Sequence, residues 1–358
     1  MLFVVFIRLQ IDIFMKLVIP GNYRSSLTLK ETERAIKMIK DFFEMNLAAE
    51  LKLRRVTAPL FVQKGTGIND DLNGTERPVS FQIRDMEHTT AEIVHSLAKW
   101  KRMMLADYEI ANSYGIYTDM NALRPDEELD NTHSVYVDQW DWEKIMRAGQ
   151  RNLGYLKETV NTIYEVLKET EAAVSERYSH LERELPKGIT FVHSEELKER
   201  YPKLAPRQRE TEVTREYGAV FVIGIGGDLG DGEIHDGRAP DYDDWITPTE
   251  GGRKGLNGDI LLWYPLLGQS VEISSMGIRV DGGTLMKQLD IRGETERAKM
   301  EWHQRLLNGG LPQSIGGGIG QSRLCMFYLK KMHVGEVHAS VWPSETVARC
   351  RAAGIPLL

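Results

Sequence analysis

The stretch Ser314-Ile-Gly-Gly-Gly-Ile-Gly-Gln-Ser-Arg323 joins a glycine-dense run to an arginine that follows it closely. It predicts a strand over 314–320 and a helix that starts at Gln321. A lone arginine is usually a surface ion-pairing residue. Here the glycines remove side chains, so a nucleotide can approach the backbone, and a permanently charged guanidinium suits its phosphates. The stretch therefore predicts a nucleotide site at a strand-to-helix turn.

The common phosphate-binding and catalytic motifs are missing. No G-x-x-x-x-G-K-[ST] occurs, and two near matches to G-x-G-x-x-G carry Leu229 and Gln321 in place of the third glycine. There is no H-E-x-x-H and no G-x-S-x-G, and the nine histidines are scattered. Rossmann, P-loop, zinc and serine-hydrolase interpretations are therefore disfavoured.

Working outward from this stretch, hydrophobic periodicity and turn residues divide the chain into alternating helices and strands. Thr28 and Glu31 form a capping box for a helix that ends near Glu50. Pro59 should place its strand at a sheet edge or an interface. The predicted strands are 53–62, 79–84, 114–123, 133–142, 218–224, 259–264, 269–280 and 314–320. The other predicted helices are 90–108, a long one within 150–184, 283–291 and 294–308. A mostly antiparallel sheet flanked by helices, an α+β fold, follows.

Composition sets the broad class of protein. The 358 residues include 45 Lys and Arg against 52 Asp and Glu, a net charge of −7, which disfavours wrapping of nucleic acid. No apolar run is long enough to cross a membrane. Two cysteines fit a reducing compartment, and we expect a cytoplasmic protein. We predict an N-terminal extension, a misassigned start, over 1–14 and one catalytic domain over 15–358.

Three segments in order resemble the signature motifs of class II aminoacyl-tRNA synthetases: the Pro59 strand with its preceding helix, Arg124-Pro-Asp-Glu127 with the strand after it, and 316–323. Longer strings resemble the ammonia-dependent asparagine synthetase family, from about Met15 to Leu358. They are His95-Ser-Leu-Ala-Lys-Trp-Lys101, His133-Ser-Val-Tyr-Val-Asp-Gln-Trp-Asp-Trp-Glu143, Arg238-Ala-Pro-Asp-Tyr-Asp-Asp-Trp245, Gly255-Leu-Asn-Gly-Asp259 and Ser274-Ser-Met-Gly-Ile-Arg279.

The resemblance implies a class II synthetase-like catalytic domain and a ligase reaction. ATP would activate the side-chain carboxylate of L-aspartate as β-aspartyl-AMP, and ammonia would convert that intermediate to L-asparagine and AMP. It further implies Mg²⁺ as a cofactor, no nucleic acid or membrane partner, and a homodimer that meets at the Pro59 strand and its helix. Because the first cysteine is Cys325, no N-terminal cysteine nucleophile is available to use glutamine.

The resemblance also assigns roles to individual residues. Arg124 would hold the α-phosphate and Arg323 the distal phosphates, and Asp70 or Asp243 would accept a proton from the attacking nitrogen. Two carboxylates on paired strands, Asp259 and Glu272, would hold Mg²⁺. The remaining nucleotide contacts would be Ser96, Gly318 and Gly320, and the aspartate contacts would be Lys101, Gln139, Asp141, Ser275 and Arg279. On one strand Gln139 and Asp141 share a face, so Trp140 and Trp142 should enter the core.

Each assignment has a plain structural alternative. Asp70 could bond its own loop backbone, and Lys101 could belong to a solvated basic helix face with Lys99 and Arg102. Asp259 and Glu272 could lie on a solvated strand edge, and Ser96 and Ser275 could cap or pack. At the level of function the alternatives are a tRNA-binding enzyme of the same fold and a non-catalytic paralogue that binds amino acids or a partner. Retention of Arg124 and Arg323 favours an active enzyme.

Overall fold

The computed structural model describes residues 17–70, 72 and 76–358. The predicted extension over 1–14 lies outside these residues. Within the described part of the chain, no helix combines the length and the apolar character that a membrane span requires.

An eight-stranded sheet forms the centre of the molecule. Its strand order is β1-β5-β6-β11-β10-β9-β8-β7, and every neighbouring pair is antiparallel except the end pairs β1–β5 and β7–β8. A smaller antiparallel sheet has the order β2-β4-β3. The strands are β1 (Leu53–Arg55), β2 (Phe61–Gln63), β3 (Ser80–Ile83), β4 (Thr89–Ile93), β5 (Gly115–Leu123), β6 (Tyr136–Ile145), β7 (Thr190–His193), β8 (Ala219–Ile223), β9 (Asn257–Tyr264), β10 (Gln269–Ile278) and β11 (Ser314–Gly320).

Helices flank the large sheet, which confirms the predicted α+β fold. They are α1 (Leu29–Leu51), α2 (Ala98–Asp107), α3 (Leu153–Arg177), α4 (Ser194–Arg200), α5 (Pro206–Tyr217), α6 (Gly282–Arg292), α7 (Glu301–Leu307), α8 (Gln321–Tyr328) and α9 (Ser344–Ala352). The main core joins one sheet face to α1, α3 and α8. Helix α2 packs on the opposite face, against β5 and β6.

Helix α1 shows how local sequence fixes an element. The Thr28 side chain accepts the Glu31 N–H and the Glu31 side chain accepts the Thr28 N–H, so the predicted capping box is present. Residues at helical spacing, Ile39, Phe43 and Leu47, are fully buried. Phe43 lies 4.7 Å from Trp140 between ring centroids. Trp140 and Trp142 are both fully buried, as the alternation along β6 predicts.

Two predicted elements are wrong. The single strand over 53–62 is two short strands, β1 and β2, that belong to different sheets. Pro59 lies in the link between them, where its missing N–H costs no ladder hydrogen bond. Each is an edge strand, as expected. The helix over 90–108 is a strand, β4, followed by α2. Long-range pairing of β4 with β2 and β3 overrides the local helical pattern.

Strand β7 and helix α9 were not predicted, and the other differences concern where elements begin and end. The long helix covers 153–177, within the predicted 150–184, and 294–308 divides into a short 3-10 segment and α7. The Gly- and Asp-rich stretch between β8 and β9, residues 224–256, contains only a short 3-10 turn and isolated bridges. Arg238 and Asp243 of this stretch line the cavity described below.

Candidate active site

One open cavity lies over β6, β10 and β11 and gathers twelve of the fourteen predicted site residues. Arg124 and Arg323, which come from distant parts of the chain, both line it. Asp70 and Asp259 do not line it directly, but each is hydrogen-bonded to a side chain that does. The predicted residues in its lining are Ser96, Lys101, Arg124, Gln139, Asp141, Asp243, Glu272, Ser275, Arg279, Gly318, Gly320 and Arg323.

The floor of the cavity pairs polar side chains of β6 with glycines of β11. Gly318 is opposite Asp141 in the ladder, and a Cβ on Gly318 would lie 2.7 Å from Asp141 Oδ1 and would overlap the Gln139 side chain. A Cβ on Gly316 would overlap Glu143. These glycines therefore make room for long side chains from the neighbouring strand, in addition to the close approach of a ligand that the sequence suggested.

Lys101 enters this floor from α2 and is fully buried. Its Nζ lies 2.9 Å from Asp141 Oδ2 and donates to the Gly317 carbonyl at 3.0 Å. Burial lowers the pKa of Lys101, against the pull of Asp141 and Glu143. The solvated basic face is therefore wrong for this helix, and Lys101 and Asp141 form a buried pair that opposite charges on a zwitterionic ligand could contact.

Arg279 forms the second ion-paired group. Its guanidinium bonds Glu143 at 2.8 Å and also bonds Asp243. Glu143 additionally accepts from Ser314 Oγ at 2.7 Å. Burial would raise the pKa of Glu143, but Arg279 outweighs it and holds that pKa below its usual range. Glu143 had no predicted role, although it shares the strand face of Gln139 and Asp141 at the same spacing of two.

Asp243 and Arg238 connect this group to the metal candidates. Burial raises the pKa of the Asp243 carboxyl despite the nearby Arg279 and Arg238 guanidiniums. Arg238 bonds Asp259, and its Nε lies 3.9 Å from Asp243. Arg238 and its neighbour Tyr242 both line the cavity and were not predicted, although both belong to the quoted string 238–245.

Asp259 on β9 is buried, and Glu272 on the neighbouring strand β10 has a side chain that is 43% exposed. Burial raises the pKa of Asp259, helped by the charge of Glu272 and opposed by Arg238. The pKa of Glu272 lies below its usual value because Arg323 and Arg238 outweigh its burial. The solvated edge is therefore wrong for Asp259, whereas Glu272 keeps access to solvent. Among the described residues, no three His, Cys, Asp or Glu side chains form a metal cage, but Mg²⁺ commonly needs only one or two carboxylates beside phosphate oxygens and water.

The two arginines keep partial access to the cavity. Arg124 donates to the His95 carbonyl at 3.3 Å, and its nearest carboxylate, Glu127, is 4.0 Å away. Arg323 donates to the carbonyls of Thr132 and Glu272, both at 3.2 Å. Backbone carbonyls orient each guanidinium and leave other N–H groups available to an anion.

Asp70 makes both kinds of contact that were considered for it, one to its own loop backbone and one toward the cavity. Its Oδ1 accepts the Leu72 N–H at 3.0 Å, the local loop bond expected of such a sequence. Its Oδ2 accepts the hydroxyl of Ser96, which lines the cavity. The loop before it is held by the Trp302 N–H, which donates to the Thr66 carbonyl at 3.2 Å. Asp70 therefore lies one hydroxyl group behind the cavity wall.

Nearby charged residues serve the fold instead. Lys99 is paired with Asp241 at 2.9 Å, and Arg102 donates to the carbonyls of Pro312 and Val280. Asp241 also bonds His303 at 2.9 Å, and Asp244 bonds Arg151. None of these residues lines the cavity. The structure thus separates residues that share one basic or acidic stretch into cavity and core.

The chain is similar to known proteins over nearly its whole length. A family model described as aspartate–ammonia ligase matches residues 30–354. The chain is 59% identical over 342 residues to the aspartate–ammonia ligase of Parabacteroides distasonis, a match that covers 96% of this chain and 99% of the relative. It is 56% identical over 343 residues to the ligase of Clostridium perfringens, with the same two coverages.

Solved structures give the fold at lower identity. The asparaginyl-tRNA synthetase of Pyrococcus horikoshii complexed with asparaginyl-adenylate superimposes with a TM-score of 0.65 and 16% identity, over 87% of this chain and 70% of the synthetase. The Entamoeba histolytica asparaginyl-tRNA synthetase in complex with asparaginyl-adenylate gives 0.62 and 14%, over 87% and 66%. The catalytic fold is thus that of class II synthetases, and the chain belongs to the aspartate–ammonia ligase family.

Proposed function

We propose that this protein makes L-asparagine from L-aspartate and ammonia at the expense of ATP, with AMP and pyrophosphate as the other products. The observation that supports this most directly is that Arg124 and Arg323 share one cavity with the Lys101–Asp141 pair and with Arg279, which Glu143 holds from the core side. Such a site offers guanidiniums to a triphosphate and paired charges to an amino acid. A carboxylate needs this activation because oxide is a poor leaving group.

In the first step, an oxygen of the aspartate side-chain carboxylate attacks the α-phosphorus, and the bond to pyrophosphate breaks. Arg124 stabilises the charge that develops on the α-phosphate, and Arg323 holds the departing phosphates. Gln139, Ser275 and Arg279, with the Lys101–Asp141 pair, orient the amino acid. Ser96, Gly318 and Gly320 border the nucleotide. Catalysis at this step is mainly positioning and charge stabilisation.

In the second step, the nitrogen lone pair of ammonia attacks the activated carbonyl carbon, and the bond to the AMP oxygen breaks. The attacking nitrogen must lose a proton, and Asp243 or Asp70 accepts it. The raised pKa of Asp243 suits this task, because a carboxylate with a higher pKa is the stronger base. Asp70 acts from behind Ser96, to which it is already hydrogen-bonded.

Asp259 and Glu272 would hold Mg²⁺ near the phosphates. The negative charge of Glu272 helps to raise the pKa of the buried Asp259 carboxyl, and a cation between the two carboxylates would offset that repulsion. When bound, the ion supplies positive charge to the triphosphate. Removal of Mg²⁺ by a chelator, with ATP still present in the assay, should stop turnover.

We also propose a homodimer. Apolar side chains are exposed on the small sheet and beside it, and Phe61 and Phe81 meet edge to face at 5.2 Å between ring centroids. Leu60, Phe61, Phe81 and Met86 are each at least 40% exposed, and Met45 on α1 is 66% exposed. An exposed apolar group of this kind commonly marks a protein interface. An active monomer in sedimentation would contradict this proposal.

A cytoplasmic location fits the same picture. Cys325 and Cys350 are both buried and unpaired, as expected in a reducing compartment. This supports the predicted location.

The function is tested by incubating the protein with aspartate, ATP and Mg²⁺ and adding ammonium, glutamine or tRNA in separate arms. We expect asparagine, AMP and pyrophosphate in equal amounts with ammonium alone. Formation of AMP only when tRNA is present would favour the tRNA-binding alternative. Binding of neither AMP nor asparagine in calorimetry would favour the non-catalytic one.

A further inference from the structure

Asp138 and Gln139 are neighbours on β6 whose side chains take opposite directions. Gln139 lies on the cavity floor. Asp138 also lines the cavity, but its carboxylate contacts the helices on the other side of the sheet. Its partners are Lys40 on α1 and Ser322 on α8. Asp138 therefore joins two helices next to the nucleotide end of the site.

Helix α8 begins without a capping side chain of its own. Its N-cap residue is Gly320, which has no side chain to accept a first-turn N–H. Asp138 takes over this task, because its Oδ1 accepts the Ser322 N–H at 3.1 Å and its Oδ2 accepts the Ser322 hydroxyl at 2.8 Å. A carboxylate is well suited to this position, since the amino end of a helix carries partial positive charge.

The capped turn carries Arg323. Ser322 and Arg323 are consecutive, so the first turn of α8 fixes the backbone position from which the Arg323 side chain extends. The guanidinium is then oriented by the carbonyls of Thr132 and Glu272. Displacement of the turn would move Arg323 relative to both.

Two basic residues, Lys40 and His338, lie next to the Asp138 carboxylate. Lys40 Nζ lies 3.0 Å from Asp138 Oδ2, and Lys40 does not line the cavity. His338 Nδ1 lies 2.8 Å from Ser322 Oγ, while Nε2 lies 2.9 Å from the Tyr136 carbonyl, to which it must donate. Burial would raise the pKa of Asp138, but Lys40 and His338 outweigh it and keep the carboxyl charged.

We propose that Asp138, held by Lys40, is a positioning residue for ATP: it caps α8 from a neighbouring strand and so places Arg323 against the distal phosphates. This proposal rests on the proposed function, because it takes ATP as the ligand of Arg323.

The experiment compares Lys40→Met, Asp138→Asn and the double variant with wild type. Lys37→Met is the matched control, since Lys37 lies on the same helix and pairs only with the exposed Asp41. KM is measured for ATP, aspartate and ammonium, and the Kd of ATP is measured by calorimetry. We expect Asp138→Asn to raise the KM and Kd of ATP about tenfold, because an amide keeps one acceptor oxygen but loses the charge-assisted hydrogen bonds to Lys40 and to the helix end. Lys40→Met should raise both about threefold by the same arithmetic, with the other KM values within about twofold of wild type.

Because both residues act through one helix turn, the double variant should resemble Asp138→Asn rather than show the product of the two effects. A rise confined to Asp138→Asn, with Lys40→Met equal to Lys37→Met, would overturn the proposal, because Asp138 would then act without being held by Lys40. Equal rises in all three KM values would overturn it too, since a general loss of structure produces that result. Wild type that makes no asparagine would instead refute the function itself.

Discussion

Lys99 and Lys101 lie two residues apart on α2, and by burial and pairing they are equivalent. Each is 1% exposed, and each Nζ lies 2.9 Å from a buried aspartate, Asp241 or Asp141. Only Lys101 borders the cavity; Lys99 joins a closed cluster with His303 and Arg297. Burial and ion pairing are therefore the same for the two lysines, and contact with the open cavity is what makes Lys101 the candidate for ligand binding.

The largest effect on activity is expected at Arg124, a cation of the cavity lining that has no close carboxylate partner. Arg124→Ala should reduce ATP–pyrophosphate exchange about a thousandfold, the size expected for a lost charge-stabilising donor, and leave the melting temperature nearly unchanged, because Glu127 is 4.0 Å away. Exchange kinetics and calorimetric unfolding measure the two quantities. Arg215→Ala, which removes an exposed ion pair on α5, is the control. Substantial exchange in Arg124→Ala would remove this arginine from the site.

Next in size is the structural lysine. Lys99→Met leaves Asp241 in a buried site with one partner fewer, so we expect the free energy of unfolding to fall by about 3 kcal/mol. His303 and Arg297 keep the loss near the lower end of the range for broken buried pairs. Denaturant unfolding measures the change, and KM for each substrate should stay the same in the folded protein. A change in the KM for aspartate would contradict the purely structural role of Lys99.

Lys101→Met should show the opposite pattern. We expect KM for aspartate to rise about a hundredfold, since one charged hydrogen bond of a ligand commonly contributes about 1.5–3 kcal/mol. The free energy of unfolding should fall less than in Lys99→Met, because water in the cavity can solvate Asp141. Kinetics with varied aspartate and denaturant unfolding test the pair together. Equal destabilisation without a KM change would assign Lys101 to the fold.

The smallest effect is expected at Asp70, which is separated from the cavity by Ser96. Asp70→Ala should raise KM for ammonium about tenfold, within the range for one positioned proton acceptor, and leave ATP–pyrophosphate exchange within about twofold. Asp85→Ala, at an exposed site, is the control. Equal losses in exchange and in ammonia use would show that Asp70 has no special part in the second step.

The difference between contacts that are local in sequence and contacts that are distant explains which features the sequence could predict. Local rules were sufficient for α1, whose capping box and apolar spacing are encoded within a few residues, and for β11 and the start of α8. Alternation along β6 correctly separated Gln139 and Asp141 from Trp140 and Trp142. Signals of this kind depend only on residues close in sequence.

Features that depend on distant partners were not predictable in this way. The basic residues of α2 were given a solvated face as their plain alternative, yet Lys99, Lys101 and Arg102 are all buried, because carboxylates and carbonyls from remote segments receive them. The 90–108 segment was assigned wholly to a helix because the pairing of β4 is non-local. Glu143 was the one site residue that periodicity alone could have added.

Alternation along β6 has a consequence for mutational tolerance. One strand presents Gln139 and Asp141 to the cavity, directs Glu143 on the same face to the Arg279 guanidinium, and supplies indole rings to the core at 140 and 142. A deep mutational scan of this strand that scores cellular abundance and enzyme turnover separately should therefore oscillate. Odd-numbered positions should lose turnover while the protein accumulates normally, and the two tryptophan positions should lose abundance first. A single-residue deletion would exchange the two sets and remove both properties at once.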